Sequence, residues 1–158
     1  MYRLKPGIKR DPVRRWALPD RIFFGHGPCA ILAGVYLRDA PLTGLYAEKI
    51  TPTGDRFGNH IFVTDGEIAF DHHGYCARAR LLAHHRNGWR REDAGWECVV
   101  ARVEFDLLST ADLNARKMLG PDQYLHDPVA RAARFIARID HQAAARKARG
   151  RAATQGVA

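Results

Sequence analysis

The alternation of apolar and polar residues predicts a β-hairpin over residues 58–71. Two runs rich in β-branched and aromatic residues flank Asp65-Gly66, a dipeptide that suits a two-residue type I′ turn because both residues tolerate positive φ. In that register His60 faces Asp71 directly across the ladder. Directly opposed side chains project to the same face with Cβ atoms roughly 4.5–5.5 Å apart, so the carboxylate is placed to orient the imidazole.

Both faces of this hairpin carry apolar side chains, so we expect the sheet to be covered on both sides. The same register pairs Thr64 with Glu67. Alternation assigns four residues to one face: Ile61, Val63, Ile68 and Phe70. It assigns four others to the second face: His60, Phe62, Ala69 and Asp71.

A helix is predicted to begin just upstream of the hairpin, with Gly27 at the N-cap and Pro28 at N1. It runs through an apolar stretch and ends at the Asp-Ala-Pro sequence of residues 39–41. Cys29 therefore falls in the first turn, where unpaired N–H groups and the helix dipole favour an anion and lower a thiol pKa. The apolar stripe of this helix needs a partner, and we expect it to cover the His60 face of the hairpin.

The rest of the pattern predicts an α+β domain with an antiparallel sheet of about four strands, this Cys-bearing helix and a long C-terminal helix. The other expected elements are a helix at 12–17, a short buried segment at 22–24, strands at 45–50 and 97–105, and helices at 75–86, 110–119 and from 128 onward. We expect a single domain over 1–158 with a basic N-terminal arm at 1–10. The Ala/Arg-rich segment 143–158 is expected to be a frayed basic tail.

Charge is concentrated at the two ends of the chain. The protein has 158 residues, is 46% hydrophobic and carries a net charge of +8. Residues 1–21 contribute +5 and residues 128–158 contribute +6, so the span between them is mildly acidic. An acidic partner is expected to bind through the ends, and a nucleic-acid role, which would also rest on them, is not expected.

Cysteine usage and the lack of long apolar runs favour a cytoplasmic protein, with export by a route independent of a signal peptide left open. Cys29, Cys76 and Cys98 form no CxxC pair, so we expect no disulfide, and the last two are predicted to be packing residues. The first twenty residues contain no apolar signal-peptide core, and no run is long enough to span a membrane.

A cysteine at a helix start, a histidine opening one strand and an aspartate on the next make a complete nucleophile, base and orienter set. We predict that His60 shares the Cys29 proton and later protonates a leaving amine. Asp71 would hold the imidazole in one tautomer and stabilise its cation. The backbone N–H of Cys29 at the helix N-terminus would contribute to an oxyanion hole.

Three short motifs resemble the papain-like cysteine hydrolase superfamily, chiefly its compact bacterial transglutaminase-like peptidases and cell-wall amidases. The motifs are Gly-Pro-Cys29-Ala-Ile-Leu-Ala, Asn-His60-Ile-Phe-Val-Thr-Asp-Gly and Phe-Asp71-His-His-Gly. The resemblance covers residues 20–75 and concerns the architecture. It implies a Cys-bearing helix on an antiparallel sheet and a hydrolase or acyltransferase acting on a peptide, isopeptide or other amide bond without a cofactor or metal.

The sequence departs from that family before the nucleophile. Papain-type enzymes carry a glutamine there as an oxyanion donor, whereas this chain has Phe-Phe-Gly-His at residues 23–26. We assign His26 and Asn59 to oxyanion and substrate contacts. The residue after the nucleophile, commonly aromatic in the family, is Ala30 here.

Other interpretations of the same residues remain open. Cys29 can be a buried small apolar residue, His60 can end an edge strand in solvent, and Asp71 can cap the following turn. A non-catalytic basic module on the same fold would bind an acidic partner through the ends of the chain. A zinc protein would use the His-rich segment 71–85, although adjacent histidines point to different sides and no HExxH motif is present.

Overall fold

The computed structural model describes residues 4–155, which form a mixed α+β protein with one antiparallel sheet. The strands are β1 (Tyr46–Pro52), β2 (His60–Thr64), β3 (Ile68–Asp71), β4 (Gly74–Ala77) and β5 (Cys98–Arg102). Their spatial order is β4-β3-β2-β1-β5, so the sheet has five strands within these residues rather than about four. The α-helices are α1 (Pro12–Trp16), α2 (Asp20–Gly25), α3 (Cys29–Asp39), α4 (Arg78–Arg90), α5 (Thr110–Asn114), α6 (Pro128–Ala137) and α7 (His141–Gln155).

The predicted hairpin is present, but its register differs from the prediction by two residues. Thr64 pairs with Ala69 rather than with Glu67, and Val63 pairs with Phe70. Continued along the ladder, this register puts Asp71 opposite the residue two positions after His60, so the two side chains are diagonal rather than opposed. A two-residue shift preserves the alternation, so both still project to one face.

Side-chain hydrogen bonds in the turn explain the shifted register. The Thr64 hydroxyl donates to the Ile68 carbonyl (2.6 Å) and accepts from the Gly66 N–H (2.9 Å). The Asp65 carboxylate accepts from the N–H groups of Glu67 and Ile68, each at 2.9 Å. These bonds close a longer loop, with Gly66 at φ 97°, in place of the two-residue turn.

Helices cover both faces of the sheet, but α3 lies on the face opposite to the one predicted. It packs against the side chains of Ile61, Val63 and Phe70 together with α6. The His60 face is covered instead by Leu81 of α4 and by Trp96. The prediction was wrong because Ile61, Val63 and Phe70 form the larger continuous apolar face of the hairpin. The apolar stripe of α3 is buried against that face.

The helix predicted over 75–86 begins later than expected. Residues 74–77 form β4, which adds an outer strand to the sheet beside β3. Cys76 on this strand and Cys98 on β5 pack against the cluster on the His60 face. Upstream, residues 20–25 form α2, which buries Phe23 and Phe24.

The predicted long C-terminal helix is divided into two. The Asp127 carboxylate accepts from the first N–H groups of α6, as the Asp-Pro sequence predicted, and α6 ends at Ala137. A new helix, α7, begins at His141, and the Asp140 carboxylate accepts from the Ala143 N–H (3.0 Å). The chain therefore turns at 138–140 and returns toward the sheet.

The prediction of a frayed tail from residue 143 is wrong through residue 155. Helix α7 packs on β3 and β4 and buries Ala145 and Ala148 against Ile68. The rest of the predicted tail, 156–158, lies outside the described residues, as do residues 1–3 of the predicted arm. The described part of that arm includes a 3₁₀ turn at Ile8–Arg10, in which Ile8 is buried. None of the helices within residues 4–155 has the length and apolarity that a membrane crossing requires.

Candidate active site

Cys29 is the first residue of α3, with Pro28 at the N-cap. The residue is partly exposed at the helix N-terminus, where the first N–H groups of a helix lack intrahelical partners. The thiol lies 3.9 Å from the Gly27 carbonyl oxygen, to which it can donate. The His60 side chain and the backbone N–H groups of Ile61 and Ala30 are close enough to lower the pKa of the thiol. Although α3 covers the opposite face, the start of the helix lies beside the start of β2, so the Cys29 thiol and the His60 imidazole share one cleft.

His60 lies on an interior strand of the sheet and is only 5% exposed, so it does not end an edge strand in solvent. Its Nε2 atom lies 3.0 Å from Oδ2 of Asp71. Because Nε2 is engaged by Asp71, Nδ1 is the nitrogen left for the Cys29 thiol. The diagonal placement of the two residues therefore still forms the predicted histidine–aspartate contact.

Asp71 uses both carboxylate oxygens. Oδ2 contacts His60, while Oδ1 accepts a hydrogen bond from the backbone N–H of His73 (2.8 Å). Burial opposes its charge, but the hydrogen bonds from His60 and His73 outweigh burial and hold the pKa of Asp71 well below its ordinary value. Asp71 thus both orients the imidazole and caps the turn before Gly74.

The electrostatics of Cys29 and His60 favour an ion pair. Burial alone would raise the pKa of the Cys29 thiol, but the hydrogen bond and charge of His60 lower that pKa. Burial likewise opposes the His60 cation, yet hydrogen bonds to Asp71 and Cys29 raise the pKa of His60 to about 10. Each group stabilises the charge of the other, so the pair ionises more readily than either group would alone.

Two further imidazoles surround His60. The His85 ring stacks on it with 5.5 Å between centroids and lies 2.7 Å from the Gly58 carbonyl through Nε2, which therefore carries a proton. Burial and the His60 charge lower the pKa of His85 to about 4. His72 packs edge-on against His60, and burial lowers the pKa of His72 to about 3. The rings of His72 and His85 are therefore neutral at pH 7, and they pack around the His60 ring without taking its proton.

The two residues assigned to oxyanion and substrate contacts both line the cleft in front of Cys29. His26 follows α2 directly and is half-buried. Asn59 is exposed immediately before β2. Both are within the cleft that contains the thiol, so a substrate bound there would lie beside them.

The cleft has a volume of about 1680 Å³, and both ends of the chain contribute to its walls. Lys5, Lys9 and Arg10 come from the N-terminal segment, and Lys147 comes from α7. The basic ends that the sequence assigned to a separate acidic partner thus lie along the same cleft as Cys29.

Sequence analysis missed two polar side chains next to the nucleophile. A Cβ atom at Gly27 would lie 2.6 Å from Nη2 of Arg15 and 3.7 Å from the hydroxyl of Tyr124. Arg15 comes from α1, and Tyr124 follows the 3₁₀ turn Pro121–Gln123. Nothing in the local sequence pattern marks either residue, because their proximity to Cys29 arises only from the fold.

The histidines and Cys76 of segment 71–85 do not come together at one candidate metal site. His60, Asp71 and His72 bring ligand atoms within 4.8 Å of one another. Cys76 instead packs in the apolar cluster on the His60 face, and its pKa rises to about 11 because it is buried. A metal ion bound by this group would therefore be held by His60, Asp71 and His72 rather than by the histidines of α4.

Cys29, His60 and Asp71 thus converge at one end of β2, in a basic cleft bounded by neutral imidazoles. The helix start supplies the thiol and the sheet supplies the other two side chains. Comparisons of the chain with protein-family models, curated proteins and solved structures found no match.

Proposed function

We propose that the protein is a cysteine-dependent hydrolase or acyltransferase that acts on an amide or isopeptide bond. The observation that carries the proposal is the grouping of the Cys29 thiol, the His60 ring and the Asp71 carboxylate in one cleft, with Nε2 of His60 3.0 Å from Oδ2 of Asp71. The order and placement of the three residues, on a helix start and two adjacent strands, also resemble the papain-like architecture.

The reaction follows from the charges of these groups. The Cys29 thiolate attacks the amide carbonyl carbon, and the resulting oxyanion accepts hydrogen bonds at the start of α3. The carbon–nitrogen bond breaks as the His60 imidazolium gives its proton to the leaving amine, which yields a thioester and a neutral imidazole. His60 then takes a proton from water or an acceptor amine, which attacks the thioester and releases Cys29.

Alkylation with iodoacetamide at pH 6 tests the nucleophile. An unperturbed thiol is ionised to roughly one part in several hundred at that pH, and the lowered pKa of Cys29 raises this ionised fraction. We expect Cys29 to be modified at least about tenfold faster than Cys76, as measured by peptide mass spectrometry.

His60→Ala should abolish this selectivity at pH 6, while His84→Ala, which removes an exposed histidine of α4, should leave it intact. If Cys29 is modified no faster than Cys76 and Cys98, or if His60→Ala changes nothing, the proposal fails. Digestion of a peptide library by the wild type and Cys29→Ser then tests for amide cleavage directly.

A metal-binding function is the second candidate, favoured by the grouping of His60, Asp71 and His72. The low pKa of His72 keeps its ring neutral, as a ligand must be. This candidate predicts one bound zinc per chain, loss of stability on chelation, and binding that survives Cys29→Ser. The catalytic proposal predicts no dependence of Cys29 alkylation on chelators.

A further inference from the structure

We propose that Arg15 and Tyr124 form a carboxylate-binding subsite beside Cys29, and that the substrate is an acidic peptide with a carboxylate next to the scissile amide. The assignment of a substrate rests on the proposed function. The existence of the subsite does not, because it depends only on charge and geometry.

Arg15 is positioned without an ion pair. Its guanidinium carbon lies 4.8 Å from the centroid of the Tyr124 ring, and its Nη2 atom lies against Gly27. Within residues 4–155 no carboxylate pairs with this side chain, and its Nε atom is buried without a hydrogen-bond partner. A buried donor without a partner costs free energy, and a planar guanidinium matches a carboxylate, so an anionic ligand would relieve that cost.

Tyr124 supplies a second polar atom at the same place. Its hydroxyl is buried and also lacks a hydrogen-bond partner among the described residues. Burial raises the pKa of Tyr124 to about 12, while the Arg15 charge lowers that pKa and Cys29 raises it by smaller amounts. The hydroxyl keeps its proton at neutral pH and is therefore a donor for an anion.

The lack of a side chain at Gly27 lets the Arg15 guanidinium approach the backbone two residues before Cys29. Its φ of 151° is unfavourable for residues with a Cβ, and a Cβ there would meet the Arg15 guanidinium. Only Pro28 separates Gly27 from Cys29 in the chain. A carboxylate on Arg15 would thus lie within about one residue of a carbonyl held at the thiol.

The wider cleft also favours a negatively charged ligand. Among the described residues eleven lysines and arginines line it, against the two acidic residues Asp71 and Glu92. Asp71 is already engaged by His60. The net positive walls would attract a chain that carries several carboxylates and orient it toward the subsite.

Binding of fluorescein-labelled hexaglutamate, measured by fluorescence anisotropy on the Cys29→Ser variant, tests the subsite without any reaction. Hexaglutamine is the neutral control peptide. We expect Arg15→Gln to weaken hexaglutamate binding about tenfold, as loss of a charge-assisted hydrogen bond implies, and Tyr124→Phe to weaken it severalfold. Arg14→Gln is the matched control. Arg14 directly precedes Arg15 in the same helix, is exposed and lies outside the cleft.

A second measurement places the subsite next to the thiol. On the protein with Cys29 intact, the ratio of alkylation rates by iodoacetate and iodoacetamide compares a carboxylate with a neutral amide of nearly the same size. We expect Arg15→Gln to reduce this ratio about tenfold relative to Arg14→Gln.

The outcomes of these experiments distinguish a failure of the carboxylate subsite from a failure of the catalytic proposal. If hexaglutamate binds no better than hexaglutamine, or if Arg15→Gln and Arg14→Gln bind it equally, the subsite is overturned. If binding depends on Arg15 but Cys29 reacts selectively with neither reagent, the subsite stands and the catalytic proposal fails.

Discussion

At the scale of single residues, Asp71 has two structural roles, one for each of its carboxylate oxygens. One oxygen contacts the His60 ring and the other closes the turn before β4. Both oxygens are buried, so the carboxylate has little contact with water and depends on these partners for its charge. The charge state of Asp71 is therefore coupled to that of His60 and, through it, to Cys29.

Asp71→Asn removes the charge while it keeps the shape of the side chain. Leaving the buried His60 without its counter-charge should lower the free energy of unfolding by about 3 kcal/mol at pH 7. The folded pKa of Asp71 lies well below its ordinary value, so its contribution is present above the unfolded pKa of roughly 3.9 and is lost as pH falls through the folded pKa. Urea unfolding from pH 7 to pH 3 should show the difference between variant and wild type narrowing below about pH 4.

Asp39→Asn is the control, because Asp39 is exposed and pairs with Arg38 at the surface. Its effect should stay below about 1 kcal/mol at every pH. An Asp71→Asn effect that is equally small, or that does not change below pH 4, contradicts the buried ion pair.

At the scale of elements, the turn between β2 and β3 determines where the His60 and Asp71 side chains meet. The Thr64 hydroxyl both donates and accepts within the turn, and this residue is fully buried. The bonds hold the longer loop and hence the two-residue shift in register. Asp71 reaches His60 along a diagonal for this reason.

Thr64→Val preserves the side-chain shape but removes both hydrogen bonds. The Ile68 carbonyl and the Gly66 N–H then lose their partner, which should cost about 2 kcal/mol in the free energy of unfolding. Thr53→Val is the control, since Thr53 is exposed and its hydroxyl makes one long bond to the Glu97 carbonyl (3.3 Å). Equal urea midpoints for the two variants would show that the turn hydroxyl does not hold the register.

At the scale of the whole molecule, α7 packs on the edge strand β4 and its neighbour β3 and also lines the cleft. The Tyr75 hydroxyl on β4 lies 2.8 Å from Nδ1 of His141, at the start of α7. Arg149 forms ion pairs with Asp65 and Glu67 in the β2–β3 turn. The last helix thus contacts the same hairpin that carries His60 and Asp71.

Ala148→Glu should weaken this attachment strongly. Ala148 is 4% exposed and packs near Ile68, so a carboxylate there would be buried without a partner. We expect a loss of about 3 kcal/mol or more in the free energy of unfolding, measured by urea denaturation. Ala153→Glu, on the exposed side of the same helix, should change stability by less than about 0.5 kcal/mol. Equal stabilities would indicate that α7 does not pack on the sheet in solution.

Local chemistry in the sequence was sufficient to predict several features of this protein. Proline and glycine placed Cys29 in the first turn of α3, although the structure has the N-cap at Pro28 rather than at Gly27. Side-chain capping predicted the helices that follow Asp11 and Asp127. Strand alternation assigned His60 and Asp71 to one face, and that assignment survives any even shift in register. These features depend on interactions between residues close in the chain.

Only the tertiary structure decided how these parts meet. The register depended on hydroxyl and carboxylate bonds in the turn, and the face that α3 covers depended on apolar packing across the sheet. The basic ends line the cleft, and Arg15 and Tyr124 lie beside Cys29, although 109 positions separate the two in the chain. Such contacts depend on the whole packing arrangement, and no periodicity in a single sequence encodes them.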